Sequence, residues 1–365
     1  MHVRYIGGTK CWWPRTAVAA LLVLSGCSVQ PMRTIVVRNG DLPKELTASR
    51  IQENPAPAEE IGSGGWGDTG QIAEGPARQG VYRVKYHPSY RRNRWMVVEG
   101  TLDGGRTYPV ILDTGASPAL FINDIHVAEN RLAVHPLSAE DSPSGPAGTG
   151  RLAKLQIADF ALLNWPCYYL AQHPETQLFG LTVARDKAII AGVPALRRFR
   201  YIAFDNVTQE VEFSLKETFE CGQFQQWSRH PLTIEEDFGG NAYLFVEISL
   251  AGEPVRLQLD TGSGRGLAIT EATWQQIFPR VHSVNLSQTK ELYPYIGRLD
   301  CRRGIIPRLR IGGRIVSRAE VSVFPDDSPL LEQCAGMLGM QCFQDTILVL
   351  DFQRSQMWVK NTSRQ

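Results

Sequence analysis

The sequence predicts an all-β protein whose two halves form similar lobes through an internal duplication. Between residues 80 and 360, short apolar or alternating runs such as VYRVKY and ILVLDF are separated by clusters of Gly, Pro, Asn and Asp. This pattern is typical of strands joined by turns. The 33 Gly and 22 Pro among 365 residues suit a chain with many turns. Segments of the first half recur in the second half at a nearly constant spacing, which indicates a duplicated domain.

Residues 1–26 are predicted to be a lipoprotein signal peptide and not part of the fold. A basic N-terminal region is followed by the apolar run TAVAALLVLS, which is too short to span a bilayer as a helix. The run ends in Leu24-Ser25-Gly26-Cys27, which resembles a bacterial lipobox. This resemblance implies that Cys27 is lipidated and anchors the chain in the cell envelope. Ser28 indicates the outer membrane, facing the periplasm. The alternative is a plain secretory signal that happens to end in Cys.

Residues 27–79 are predicted to be a flexible tether that holds a folded body away from the membrane. The stretch ENPAPAEEIGSGGWGDTGQIAEGPARQG has no apolar periodicity and is rich in Pro, Gly, Ala and Glu. It contains Asp68-Thr69-Gly70 and glycines spaced as GxGxxG, but no apolar strand precedes either motif. We interpret both motifs as coincidental.

The repeat is clearest around two aspartates and two glycines. GRTYPVILD ends at Asp113, and GEPVRLQLD ends at Asp260, 147 positions later (260 − 113). Gly192 and Gly339 each close a hydrophobic pair and keep the same spacing (339 − 192). The two halves therefore carry the same series of strands in the same order.

The repeat divides the folded part into an N-terminal lobe at 80–218 and a C-terminal lobe at 219–365. Helical stretches are few in both lobes. The best candidates follow Pro194 (ALRRF) and Thr270 (EATWQQIF). Strands are therefore expected to build the core of each lobe.

An Asp-Thr-Gly motif follows an apolar strand in each half. A single Asp-Thr-Gly is a weak signal, because roughly one chain in ten of this length has a copy by chance. Here the hydrophobic pair ending in Gly comes 79 residues after the Asp in both halves (192 − 113 and 339 − 260). This equal spacing argues against two chance copies of the motif. The two copies are Asp113-Thr114-Gly115-Ala116 and Asp260-Thr261-Gly262-Ser263.

Together these motifs resemble the retropepsin-like and pepsin-like aspartic proteases over most of residues 80–360. The resemblance implies two retropepsin-like (acid protease) β-barrel lobes related by a pseudo-two-fold axis, with a cleft between them. It implies that Asp113 and Asp260 are the catalytic pair and that the threonines brace the two loops across their junction. It assigns active-site loop support to Thr114, Gly115, Ala116, Thr261, Gly262 and Ser263.

Two adjacent carboxyl groups suit the hydrolysis of a peptide bond. Two carboxylates a few ångströms apart cannot both ionise easily, so they share one proton. The ionised group takes a proton from water, and the protonated group donates to the peptide carbonyl. The expected activity is that of an aspartic endopeptidase acting on a peptide or protein substrate, which binds as an added strand. The catalytic unit is expected to be a monomer, with no metal and no cofactor.

Two segments are candidates for covering the cleft. In the first half the Gly-rich segment 143–150 (PSGPAGTG) is the expected flap, without a clear flap tyrosine. In the second half the loop around 286–298 offers Tyr293 and Tyr295 as substrate contacts. Simple packing of the two tyrosines is the alternative.

Composition and motif searches exclude several other classes. A formal net charge of +1 gives no general attraction to nucleic acid. HExxH, GxSxG and the phosphate-binding loop motif are absent from the sequence, and the histidines lack metal-ligand spacing. The five cysteines after Cys27 are expected to form one or two disulfides or to be buried thiols. They are Cys167, Cys221, Cys301, Cys334 and Cys342.

Two non-enzymatic hypotheses remain open. One is a catalytically inactive protease-fold lipoprotein that binds peptides or an envelope partner in its cleft. The other is a structural tethering lipoprotein, which leaves the paired motifs unexplained. Retention of both Asp113 and Asp260 favours the enzyme.

Overall fold

The computed structural model describes residues 33–39, 70–76, 79–137, 147–178, 181–237, 240–278, 284–293, 296–332 and 334–360. The predicted signal peptide, Cys27 and the Asp68-Thr69 pair lie outside these residues. Strands dominate the described chain, as predicted. Among the described residues, no helix has the length and apolar character needed to cross a bilayer.

The strands fall into two series of similar order. Those of the first half are β1 (Arg33–Asn39), β2 (Gln71–Ala73), β3 (Val81–Lys85), β4 (Val97–Leu102), β5 (Thr107–Leu112), β6 (Leu120–Asn123), β7 (Val134–Pro136), β8 (Ala147–Ile157), β9 (Phe160–Leu170), β10 (Gln172–Leu178), β11 (Leu181–Arg185), β12 (Ile189–Ala191), β13 (Tyr201–Asp205) and β14 (Glu210–Ser214). Those of the second half are β15 (Trp227–Glu236), β16 (Ala242–Leu250), β17 (Glu253–Asp260), β18 (Leu267–Thr270), β19 (Ser287–Tyr293), β20 (Gly297–Ile311), β21 (Arg314–Phe324), β22 (Gly336–Gly339), β23 (Ile347–Asp351) and β24 (Gln356–Lys360).

The helices are short. They are α1 (Tyr90–Asn93), α2 (Asp124–Asn130), α3 (Val193–Leu196) and α4 (Glu271–Ile277), with the 3-10 turns η1 (Phe224–Gln226) and η2 (Met340–Phe343). The helix predicted after Thr270 is α4, which the Thr270 hydroxyl caps by accepting from the N–H of Thr273. The helix predicted after Pro194 is shorter than expected and ends at Leu196.

Each half closes a β-barrel, which confirms the predicted two-lobe architecture. In the first lobe the ring runs β4, β5, β12, β6, β9 and β8, and it closes where β8 pairs with β4. In the second lobe the ring runs β16, β17, β22, β18, β21 and β20 and closes where Leu250 pairs with Ile311. The strands correspond one to one, so the sequence repeat is a repeat of structure.

A further sheet joins the two lobes. Strands β15, β24, β23, β13, β14 and β3 lie side by side in that order. Strand β15 belongs to both parts, because its first half pairs with β24 and its second half with β16. In β14, Val211 and Phe213 are buried whereas Glu210 and Glu212 are only half-buried, the period-two pattern of a strand with one face in the core.

Two strands lie within the residues predicted to form the tether. Strand β1 pairs antiparallel with β10, and β2 pairs antiparallel with β9. The Trp165 indole N–H also donates to the Gln71 carbonyl at 3.0 Å. Parts of 27–79 therefore pack against the first lobe. The lobe boundaries at 80 and 219 remain predictions.

The described cysteines form no disulfide, and three of the five, Cys167, Cys301 and Cys342, are buried as the sequence analysis allowed. Cys167, Cys221, Cys301, Cys334 and Cys342 are all free thiols. Burial raises the pKa of Cys167 and of Cys342 to about 12, so neither is a thiolate at neutral pH. No group of three or more His, Cys, Asp or Glu side chains in the described part of the chain could hold a metal ion.

Candidate active site

Asp113 and Asp260 occupy matching positions in the two barrels. Asp113 directly follows β5, and Asp260 is the last residue of β17. Each of these strands runs parallel to the Gly-ended strand of its own lobe, with Leu112 opposite Ala191 and Asp260 opposite Gly339. Each loop therefore continues from a buried strand, which fixes where its carboxyl group lies.

The threonines of the two loops connect the lobes by reciprocal hydrogen bonds. The Thr114 hydroxyl donates to the Leu259 carbonyl at 2.6 Å, and the Thr261 hydroxyl donates to the Leu112 carbonyl at 2.6 Å. The Thr114 N–H donates to the Thr261 hydroxyl at 3.0 Å, and the Thr261 N–H donates to the Thr114 hydroxyl at 3.1 Å. Both side chains are buried. The junction is therefore a closed set of hydrogen bonds that water does not reach.

The two loops approach so closely that only glycine fits after each threonine. A Cβ atom on Gly262 would lie 2.3 Å from Cγ of Asp113, and one on Gly115 would lie 2.8 Å from Cγ of Asp260. Real Cβ contacts do not reach such distances, so any side chain would push the loops apart. Each aspartate thus sits against the glycine of the opposite loop, which brings the two carboxyls together.

The carboxyl groups form a hydrogen-bonded pair. Burial raises the pKa of Asp113, although N–H groups of Gly115, Gly262 and Ala116 and the hydrogen bond with Asp260 oppose this rise. Burial raises the pKa of Asp260 well above its ordinary value, and the negative charge of Asp113 raises it further. Both pKa values are raised, so the pair titrates as a unit that shares one proton.

Ala116 and Ser263 take the same position in their loops. The Ala116 carbonyl accepts from the Val193 N–H at 3.0 Å, and the Ser263 carbonyl accepts from the Met340 N–H at 2.8 Å. The Ser263 hydroxyl accepts from the Arg265 N–H at 3.3 Å. The backbone N–H of Ser263 opposes the rise in the pKa of Asp260. Both residues thus hold the loops through their backbone.

We predict that Asp260→Asn raises the thermal stability of the protein at neutral pH. When the pKa of a carboxyl is higher in the folded state than in the unfolded state, the protein becomes less stable as the pH rises from the unfolded-state pKa to the folded-state pKa. Asn carries no charge, so the variant avoids this loss. Melting at several pH values should show a gain of a few degrees near pH 7, vanishing below the ordinary Asp pKa of about 3.9. A variant that is less stable at pH 7 than the wild type would contradict the raised pKa of Asp260.

The cleft between the lobes has a volume of about 780 Å³ and includes both aspartates. Its wall on the first lobe is mainly apolar and contains Trp95, Ile111, Pro174, Ala188 and Ile190. Asp186 also lies on this wall. The wall on the second lobe is mixed: its polar residues are Tyr243, Gln258, Arg265, Tyr293, Arg303 and Glu320, and its apolar residues are Leu292, Ile296, Pro329, Leu330 and Met337.

A buried ionic group on the second lobe was not predicted from the sequence. Glu291 is almost fully buried, and its carboxylate pairs with Arg265 at 2.8 Å and accepts from the Ser322 hydroxyl at 2.7 Å. The Tyr293 hydroxyl donates to the same carboxylate at 3.2 Å, and the Arg265 guanidinium lies 5.8 Å from the Tyr293 ring centroid. This group fixes two cleft-lining side chains. The position of Arg265 directly after Asp-Thr-Gly-Ser-Gly was the only signal for it.

The segments expected to cover the cleft behave differently in the two lobes. Tyr293 lines the cleft, as expected, and Tyr295 lies outside the described residues. Of the segment 143–150, only 147–150 is described; it begins β8, is buried and contributes nothing to the cleft wall. The hairpin of β10 and β11 supplies cleft residue Pro174 instead.

Comparisons with known proteins find solved structures that are similar to the chain at low identity. No family model matches the chain, and no curated protein matches it. Its solved structural neighbours include an aspartic proteinase from Irpex lacteus (11% identity, TM-score 0.43, 78% of this chain and 98% of that chain) and the soybean Basic 7S globulin (13%, 0.41, 78% and 95%). A retropepsin-like aspartic protease from Rickettsia conorii matches at 14% identity with a TM-score of 0.25, covering 36% of this chain and 93% of that chain. Identities and TM-scores this low carry no conclusion about activity.

Proposed function

We propose that the protein is an aspartic endopeptidase that hydrolyses peptide bonds with a water molecule activated by Asp113 and Asp260. The observation that supports this proposal is the hydrogen-bonded carboxyl pair, held at a cleft by the buried threonine junction. A pair that keeps one proton supplies a base and an acid at the same moment.

In this proposal Asp113 is the base and Asp260 is the acid. Asp113 takes a proton from the water as the water oxygen bonds to the carbonyl carbon. Asp260 donates its proton to the carbonyl oxygen, which gives a neutral tetrahedral intermediate. The C–N bond then breaks as the proton on Asp113 passes to the leaving amine and Asp260 recovers its proton. Every proton that moves comes from the attacking water or from Asp260 and passes through the two carboxyl groups, so the proposal needs no cofactor.

The proposal is tested with the full chain in detergent and a mixed peptide library, from about pH 3 to about pH 8. Cleavage should fall as the pH rises through the pKa of the pair, because the proton donor is then lost. Folded protein that binds peptides but cuts none at any pH would contradict the enzyme. That outcome would favour the alternative, a peptide-binding lipoprotein of the same fold.

We further propose that the protein is anchored by lipid on Cys27 in the outer membrane and faces the periplasm. Cys27→Ser should shift the protein from the membrane fraction to the soluble fraction, because the acyl chains supply the binding energy, about 0.8 kcal/mol per buried CH₂. Fractionation of cell lysates measures this shift. Cys11→Ser, a change within the predicted signal peptide, is the matched control and should leave the protein in the membrane. Membrane retention of Cys27→Ser would contradict the anchor.

A further inference from the structure

The sheet of β1, β10 and β11 lies outside both barrel rings. Within the described residues, β11 pairs with β10 only, so its other edge is open. All five residues of β11 are exposed. Leu181 is 72% exposed and Val183 is 58% exposed, and Leu181 is the most exposed large apolar residue of the described chain. Apolar side chains this exposed on a sheet edge indicate a contact surface.

Strand β1 begins at the tip of the hairpin formed by β10 and β11. Arg33 lies opposite Leu178, and Leu178 lies opposite Leu181. Neighbouring strands are about 4.8 Å apart, so Cα of Arg33 is about 10 Å from Cα of Leu181. The chain therefore enters the sheet at the end that carries the exposed Leu181.

The chain between Cys27 and this sheet is short. Only residues 28–32 separate Cys27 from Arg33. Six residue steps span at most about 21 Å, even fully extended. A lipid on Cys27 would therefore keep the hairpin tip within about 30 Å of the membrane surface. The long segment 40–69 comes after β1, so its length does not separate the hairpin from the membrane.

One buried carboxylate ties the three strands together. Glu175 of β10 is 4% exposed. It accepts from the Arg38 guanidinium of β1 at 3.2 Å and from the Arg185 guanidinium of β11 at 3.1 Å. It also accepts from the Thr182 hydroxyl at 2.9 Å. Movement of β1 away from the hairpin would leave Glu175 with fewer partners, so the sheet acts as one piece.

We propose that the hairpin tip, defined by Leu181 and Val183, docks on the lipid surface and sets the orientation of the cleft. This inference rests on the proposed anchor at Cys27. Transfer of Leu and Val side chains out of water is favourable. The outer edge of β11 has no strand partner among the described residues, and hydrocarbon cannot satisfy the N–H and C=O groups of such an edge. The contact is therefore at the level of the lipid headgroups.

The docked tip brings the cleft close to the bilayer. Pro174 lines the cleft, and it lies on the same face of β10 as Leu178, four residues away. Four strand residues span about 13 Å. The substrates of the proposed endopeptidase would accordingly be extended segments that lie beside the membrane surface.

The test is photocrosslinking in membranes that contain the full lipidated chain. Leu181 is replaced by p-benzoylphenylalanine in one variant and Val207 in another. Val207 is a matched control, because it is 60% exposed but follows β13 in the sheet that joins the lobes. We expect several-fold more phospholipid adduct from position 181 than from position 207, measured by mass spectrometry.

The same experiment separates the anchor from the docking. Membrane-bound protein that gives no lipid adduct at position 181, or equal adduct at both positions, overturns the docking alone. Crosslinks from position 181 to a protein, including a second copy of this chain, overturn it in favour of a protein partner. Recovery of the protein in the soluble fraction overturns the anchor and the docking with it. Peptide cleavage, assayed separately in detergent, reports on the proposed activity in each case.

Discussion

Replacing Asp113 or Asp260 with Asn should lower the rate of peptide cleavage by about 10²- to 10⁴-fold, which is the contribution of general acid–base catalysis. Asn at position 113 cannot accept a proton from water. Asn at position 260 cannot supply the carboxyl proton that the pair shares. Initial rates on one peptide from the library, at the optimal pH, measure the loss. Asn keeps the size of Asp, so the loops should stay in place.

The matched control for this experiment is Asp103→Asn. Asp103 is exposed in the turn between β4 and β5, on the same lobe as Asp113. The variant changes the net charge by the same amount and should cleave at the wild-type rate. Thermal melting of all variants checks that they are folded. Wild-type activity in either Asp113→Asn or Asp260→Asn would contradict the mechanism.

The repeat explains why so much of the fold could be predicted. A spacing of 147 residues between Asp113 and Asp260 is also the spacing between β6 and β18 and between α2 and α4. The sequence analysis identified α4 but missed α2, whose cap is the Asn123 side chain. Both helices are seven residues long, so length does not explain why only α4 was predicted. The place of α2 in the repeat would have revealed it.

Features without a copy in the other half were also not predicted from the sequence. The chain from β9 to β12 contains the β10–β11 hairpin, whereas the corresponding chain from β21 to β22 contains no strand in its described residues. Strand β1 pairs with that hairpin and lies in the segment that was predicted to be a flexible tether. Its partner is more than a hundred residues away in sequence, so no local pattern identifies the pairing.

Contacts between residues that are far apart in sequence show the same limit. Of segment 143–150 only 147–150 is described, so its role as a flap stays a prediction. Arg265 precedes β18 and Glu291 lies in β19, and the pairing of strands in the sheet brings them together. Each residue separately resembles an ordinary surface charge in the sequence. Contacts of this kind follow from three-dimensional packing and are visible only in the structure.

Thr261→Val should destabilise the protein by about 2–5 kcal/mol and also reduce its activity. Valine has nearly the shape of threonine but cannot make the hydroxyl hydrogen bonds. The Leu112 carbonyl and the Thr114 N–H would lose their partners at a buried junction, and each unsatisfied buried group costs about 1–3 kcal/mol. Denaturant unfolding measures the loss. Thr261→Ser keeps the hydroxyl and is the control, with a cost limited to one methyl group of about 1 kcal/mol.

A double-mutant cycle with Thr114→Val tests whether the junction acts as one unit. The Thr114 hydroxyl donates to Leu259 and accepts from Thr261, so it bonds to the opposite loop just as the Thr261 hydroxyl does. Once either side is lost, the loops can separate and water can reach the remaining groups. The double variant should therefore lose less stability than the two single losses combined. Additive losses, within about 0.5 kcal/mol, would show that the two hydroxyls act independently and that the junction does not hold the carboxyl pair as a unit.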